Sequence, residues 1–164
     1  MSRHQEYQIA SDFKPLPGEA NFPPPIDKEV VGGVHIAPEC ITRQGEIFVM
    51  IVWPNGLWRH ESHRTIRFPH GLMMFGETIK ESAERLVKTQ LGMDVESVQV
   101  VHIDSYVDEK NHWHIEPWVI VDVIGTPKLP SQASGVIYFK GHELPEDTLW
   151  TKEQFINLVD NLIR

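Results

Sequence analysis

The chain has 164 residues, 41% of them hydrophobic and 23% charged, with a formal net charge of −8. That is one domain's length, with enough apolar residues to bury a core. The acidic balance excludes a general nucleic-acid or anionic-membrane surface, which needs clustered Lys and Arg, but leaves room for a small anionic ligand in a local basic pocket.

Cys40 is the only cysteine, so no intrachain disulfide forms and a reducing compartment is expected. The opening "MSRHQEYQIASDF" has no signal-peptide core, and no run approaches the ~20 apolar residues of a membrane span. The expected location is cytoplasmic, with neither nucleic acid nor membrane as a partner.

Residues 1 to 28 are proline-rich ("FKPLPGEANFPPPIDK"). Proline fixes φ and removes a donor, so this segment reads as an extended arm. It is either a loose tail or an arm laid over its own domain or a dimer partner, with Phe13 and Phe22 as apolar anchors. Residues 29 to 164 read as the folded domain. "VVGGVHIAPECI" and "GEIFVMIVW" are apolar, branched runs around "TRQG", the pattern of a hairpin. The loop "PNGLWRHESHRTIR" follows, loaded with Arg and His. "VESVQVVHIDSYV" and "HWHIEPWVIVDVIG" form a second strand pair around the polar "DEKN". "PKLPSQAS" is a loop and "GVIYF" a late strand. In the closing "TKEQFINLVDNLIR", Thr151 and Gln154 suit a capping box, and Phe155, Val159 and Leu162 form a helical stripe. Strands, a central helix, more strands and a terminal helix make a mixed α/β domain.

The central helix lies in "GLMMFGETIKESAERLVKTQLGM", residues 71 to 93. Thr78 and Glu81 form a capping box and Gly92 suits the position past the end, so the helix spans about Ile79 to Leu91. At 100° per residue, Ile79, Ala83, Leu86, Val87 and Gln90 share one face. Glu81, Glu84, Arg85 and Lys88 lie opposite.

The same stretch resembles the Nudix box, in which G, five residues, E and seven residues precede R-E-U-x-E-E-x-G-U, U being apolar. Gly71, Glu77, Arg85, Val87, Gly92 and Met93 fall in register, and "FPHG" before it resembles the family's L-P-G-G. The resemblance spans roughly Glu29 to Arg164. It implies a Nudix-like α/β/α sandwich with a mixed sheet, a central box helix and a C-terminal helix. It also implies a nucleotide derivative as ligand, with Glu77 and Arg85 as the matching catalytic-motif positions, at least partly structural, and Mg²⁺ or Mn²⁺ as the metal of an active member.

The departures bear on chemistry. The family's three glutamates after the arginine are here Leu86, Thr89 and Gln90. Divalent cations of the Mg²⁺ type require hard anionic oxygens, and attack on a diphosphate requires its charge to be neutralised. Leucine supplies no ligand, and Gln90 offers only a neutral carbonyl. Glu81 and Glu84 face away. The pattern is closest to the GDP-mannose mannosyl hydrolase branch, which also has "ERL" at Glu84, Arg85 and Leu86. That branch keeps the last glutamate and a downstream histidine base. Here the glutamate is Gln90, and "KLPSQASG" offers Gln132 without a histidine.

Two further constellations stand out. Alternation in "HWHIEP" puts His112, His114 and Glu116 on one strand face, a set suited to a borderline metal such as Zn²⁺ or to a solvated polar face. "WRHESHRTIR" supplies Trp58, Arg59, Arg64 and Arg67. With Gly71, these can hold a phosphate or stack on a base, or form a solvated, internally paired loop. Three readings follow. The chain binds a nucleotide or nucleotide sugar with hydrolysis lost or reduced, hydrolyses such a substrate through relocated ligands, or keeps the fold for protein interaction alone. A homodimer is compatible with each.

Overall fold

The structure is a computed structural model, described for residues 34–54, 66–74, 76–109 and 112–161. Its elements in chain order are β1 (Val34–Ile36), β2 (Glu39–Gln44), β3 (Ile47–Val52), β4 (Ile66–Arg67), α1 (Ile79–Gln90), β5 (Asp94–Val107), β6 (Trp113–Ile124), β7 (Gly135–Lys140) and α2 (Lys152–Asn161). The proposed arm, residues 1 to 28, lies outside the described residues.

The run "VVGGVHIAPECI" divides into two strands where it was expected to form one. β1 and β2 both pair parallel to β6, Val34 opposite Trp113 and Glu39 opposite Trp118, in one unbroken register. That register sets Pro38 opposite Pro117. Neither can donate to the ladder, so pairing lapses there without slipping. The hairpin turn is tighter than "TRQG" suggested. β2 continues through Gln44, which pairs with Ile47, and Gly45 makes the turn at φ 59°, a left-handed conformation that glycine adopts without steric cost.

β6 carries β5 on its other edge, antiparallel along nearly its whole length. β3 pairs antiparallel with β2, β4 and β7. The sheet is therefore mixed, and its period-2 alternation sends apolar side chains to both faces. Cys40, Val49, Ile51, Val119, Val121 and Val123 pack with Ala83, Leu86 and Val87 of α1. Ile41, Phe48, Met50, Phe68, Ile120 and Phe139 pack with Phe155 and Leu158 of α2. One helix on each face of a mixed sheet is the α/β/α sandwich expected from the sequence.

The α2 capping box forms. Thr151 N–H donates to Gln154 Oε1 at 3.2 Å and Gln154 N–H to Thr151 Oγ1 at 3.1 Å. Phe155 and Val159 face the core as expected, and Leu162 lies outside the described residues. Among the described residues, no helix is long and apolar enough to cross a membrane.

Candidate functional site

The loop and helix from residue 70 to 93 are held by a few specific bonds. Glu81 N–H donates to Thr78 Oγ1 at 3.1 Å, and Thr78 N–H to Glu81 Oε2 at 3.2 Å, closing the capping box. Arg85 meets Glu77 with two N–H donors, Nε to Oε2 at 2.7 Å and Nη2 to Oε1 at 2.9 Å. The same Nη2 donates to the Leu72 carbonyl at 2.8 Å, and the Met74 N–H donates to Glu77 Oε1. A forked guanidinium on a carboxylate is geometrically selective. Here it fastens helix to loop, because each partner also holds loop backbone.

Leu86 is 4% exposed and sits in the α1-side core. A Cβ built on Gly71 would lie 2.8 Å from Leu86 Cδ2, so glycine at 71 is what allows the loop to lie directly on this leucine. One turn further, Gln90 is clasped to the loop backbone. Its Nε2 donates to the His70 carbonyl at 2.6 Å and its Oε1 accepts from the His70 N–H at 3.2 Å. Thr89 is exposed.

A second polar region lies on the α2 side of the sheet. His114, Glu116 and Trp118 alternate along β6 in line with Ile120 of the α2-side core. Arg67, in β4, stands 3.7 Å from Glu39 at the start of β2. Glu39 is pushed up to about 7, chiefly by burial; the charge of Glu116 adds to the rise and Arg67 opposes it. Burial likewise lowers Arg67. Tyr106 donates its hydroxyl to Glu116 Oε1 at 3.1 Å, and burial followed by the Glu116 charge pushes its phenol up to about 12. At the end of this row His112 Nδ1 and His114 Nε2 lie 3.2 and 2.9 Å from Asp108 Oδ2.

The structure thus joins Glu77 to Arg85, places Gly71 and Gln90 at the loop–helix contact, and gathers His112 and His114 around Asp108 while Glu116 turns to Tyr106. Gln132 is exposed in the loop before β7. Trp58, Arg59 and Arg64 lie outside the described residues. Sequence reading missed Asp108 and Glu39. Asp108 carried a usable signal, four residues before His112 across a polar turn. Glu39 carried none, being one acid at the mouth of an apolar run.

No protein-family model matches the chain, and no curated protein matches it in sequence. Solved structures match in shape. A MutT Nudix hydrolase from Burkholderia pseudomallei superposes with a TM-score of 0.61 at 15% identity, over 78% of this chain and 98% of that one. A Nudix-family hydrolase from Clostridium perfringens gives 0.60 at 10% identity, over 78% and 95%. The chain has the Nudix fold. A MutT protein from Bacillus halodurans adds 19% identity over 74% of this chain and 78% of that one, at a TM-score of 0.58.

Within this Nudix fold the residues at 71–93 do not suit a hard divalent cation. The acids there are all engaged: Glu77 with Arg85, Glu81 with Thr78, and Glu84 with Lys80 at 3.7 Å. Mg²⁺ needs near-octahedral oxygen ligands, usually with carboxylates among them. Leu86 has no ligand atom, and both polar atoms of the Gln90 amide are hydrogen-bonded to His70.

Proposed function

We propose that this chain is a Nudix-fold protein that binds a nucleotide or a nucleoside-diphosphate-linked small molecule, most naturally a nucleotide sugar, with standard metal-dependent diphosphate hydrolysis lost or much reduced. The supporting observation is the packing of the box helix. Where the family motif places carboxylates, Leu86 is buried against Gly71, Thr89 is exposed and Gln90 is tied to His70. Returning carboxylates to 86 and 90 would break an apolar contact and a backbone clasp, so the face is built for packing rather than for charge.

Binding is assigned to the basic, aromatic stretch that carries Trp58, Arg59 and Arg64, on its composition, with Gln132 as a further polar contact; Arg67 is instead buried beside Glu39. The same reading makes the box degenerate, nearest in pattern to GDP-mannose mannosyl hydrolases, and the chain a cytoplasmic homodimer with residues 1 to 28 as an arm. The rival reading, hydrolysis through relocated ligands, has one grouping in its favour. Among the described residues, Asp108, His112 and His114 are the only three metal-ligating side chains gathered together, and they sit on the α2 side of the sheet, away from the box helix.

Calorimetric titration with GDP-mannose, with and without Mg²⁺, tests the proposal. The expected result is binding of similar strength in both buffers. No binding in either buffer, or binding that requires Mg²⁺ and is followed by release of GMP, would contradict it.

A further inference from the structure

We infer that Asp108, His112 and His114 form a binding site for a borderline divalent cation of the Zn²⁺ class, separate from the box helix. The geometry is built rather than incidental. Asp108 N–H donates to the His112 carbonyl at 3.0 Å, and the His112 N–H returns to Asp108 Oδ1 at 2.9 Å. These bonds close the end of the β5–β6 ribbon and anchor one carboxylate oxygen. They leave Oδ2 aimed at both imidazoles, 3.2 Å from His112 Nδ1 and 2.9 Å from His114 Nε2, and the three ligand atoms all lie within 4.8 Å of one another. Ligand atoms of a tetrahedral site with bonds of ~2.1 Å stand about 3.4 Å apart. Small rotations of side chains already in place would admit an ion.

The surroundings fix the ligands. The Tyr106 ring stacks on His114 with centroids 4.7 Å apart and planes 10° from parallel. His35, opposite His114 in the β1–β6 register, stacks on His112 at 5.1 Å and meets His114 edge-on at 5.0 Å. The His112 side chain is 8% exposed and His114 16%, whereas Asp108, at 26%, keeps a route to solvent. Two imidazoles and one carboxylate are the donor set of open, three-ligand zinc sites and suit Zn²⁺, Co²⁺ or Ni²⁺ far better than Mg²⁺. The His35 ring packs against both imidazoles and walls one side of the cluster.

The test is titration of the full chain, first stripped with chelator, with Zn²⁺ by calorimetry and with Co²⁺ by visible spectroscopy. The expected result is one tight ion per chain, with the intense d–d bands of low-coordinate Co²⁺, and no displacement by millimolar Mg²⁺. His112→Ala and His114→Ala should each weaken binding by more than about 100-fold, beyond the ~10–100-fold loss typical of an outer-shell change. His142→Ala, exposed after β7, should leave it unchanged. Because a ligand variant can fail to fold, imidazole ¹⁵N shifts of the unmodified chain give a second readout, with Zn²⁺ moving His112 Nδ1 and His114 Nε2. Absence of tight binding, binding insensitive to both substitutions, displacement by Mg²⁺, or ¹⁵N shifts confined to other histidines would overturn the assignment. In that event the cluster only braces the ribbon.

Discussion

Leu86→Ala is the most informative single change to the box helix. The side chain is almost fully enclosed, packed with Ala83 and Val87 against sheet valines on one side and lying on the Gly71 loop on the other. Removing a buried leucine side chain costs about 2–5 kcal/mol, the upper end applying where neighbours cannot collapse into the space. Gly71 has no side chain to move in, and its loop is held by Arg85 and Gln90, so relaxation is limited and about 3–4 kcal/mol is expected. For a chain of this size that lowers Tm by about 10 °C. Equilibrium urea unfolding followed by circular dichroism measures it, with Thr89→Ala as the internal control. Thr89 is exposed on the same helix, and its loss should stay within about 0.5 kcal/mol. Leu86→Glu should be worse than Leu86→Ala at pH 8 and recover toward acid pH, since a buried carboxyl is tolerated only when protonated. A Leu86→Ala cost below about 1 kcal/mol, or one no larger than that of Thr89→Ala, would refute the claim that this face is packing.

Arg85→Ala should cost about 2–3 kcal/mol by stranding Glu77 and the Leu72 carbonyl, with Arg85→Lys recovering only part because a single ammonium cannot reproduce the fork; urea midpoints of the two variants compare them directly. Gln90→Ala, which removes both bonds to His70, should lower stability by about 1–3 kcal/mol and speed amide exchange at His70. Glu39 gives a pH signature. Its folded pKa of about 7 lies above the ordinary 4.5, so the folded state binds the extra proton between these values and stability falls as pH rises through 7. The Glu39→Gln variant should lack this slope, and wild type should lose up to about 3 kcal/mol relative to it between pH 4.5 and 8; parallel profiles would show that Glu39 titrates normally.

Much of the fold was legible because local signals agreed. Both capping boxes, at Thr78 and Thr151, announced helices that form as read, and the valine-rich strands supplied the alternation that splits the core between two faces. The division of β1 from β2 was not legible. It depends on Pro38 meeting Pro117, a pairing that exists only once β1 and β2 lie beside β6. Within the site, the Glu77–Arg85 pair could be expected from motif spacing, whereas the clasp of Gln90 on His70 could not, since an amide's partner is set by the loop's path. Strand alternation placed His112, His114 and Glu116 together. The structure begins β6 at Trp113, just after His112, and keeps the three in one row, but turns His112 and His114 to Asp108 and gives Glu116 to Tyr106.

The central claim, binding without box-metal hydrolysis, is tested most directly by one ³¹P NMR experiment. A nucleotide sugar is incubated with stoichiometric protein and Mg²⁺, and its diphosphate resonances are followed over hours. Binding should shift or broaden both resonances while no phosphomonoester signal grows above the protein-free control, because the helix face that would hold the metal carries Leu86, Thr89 and a tethered Gln90. A growing monoester signal that disappears in a Glu77→Gln variant, or diphosphate resonances untouched at every protein concentration, would contradict the account.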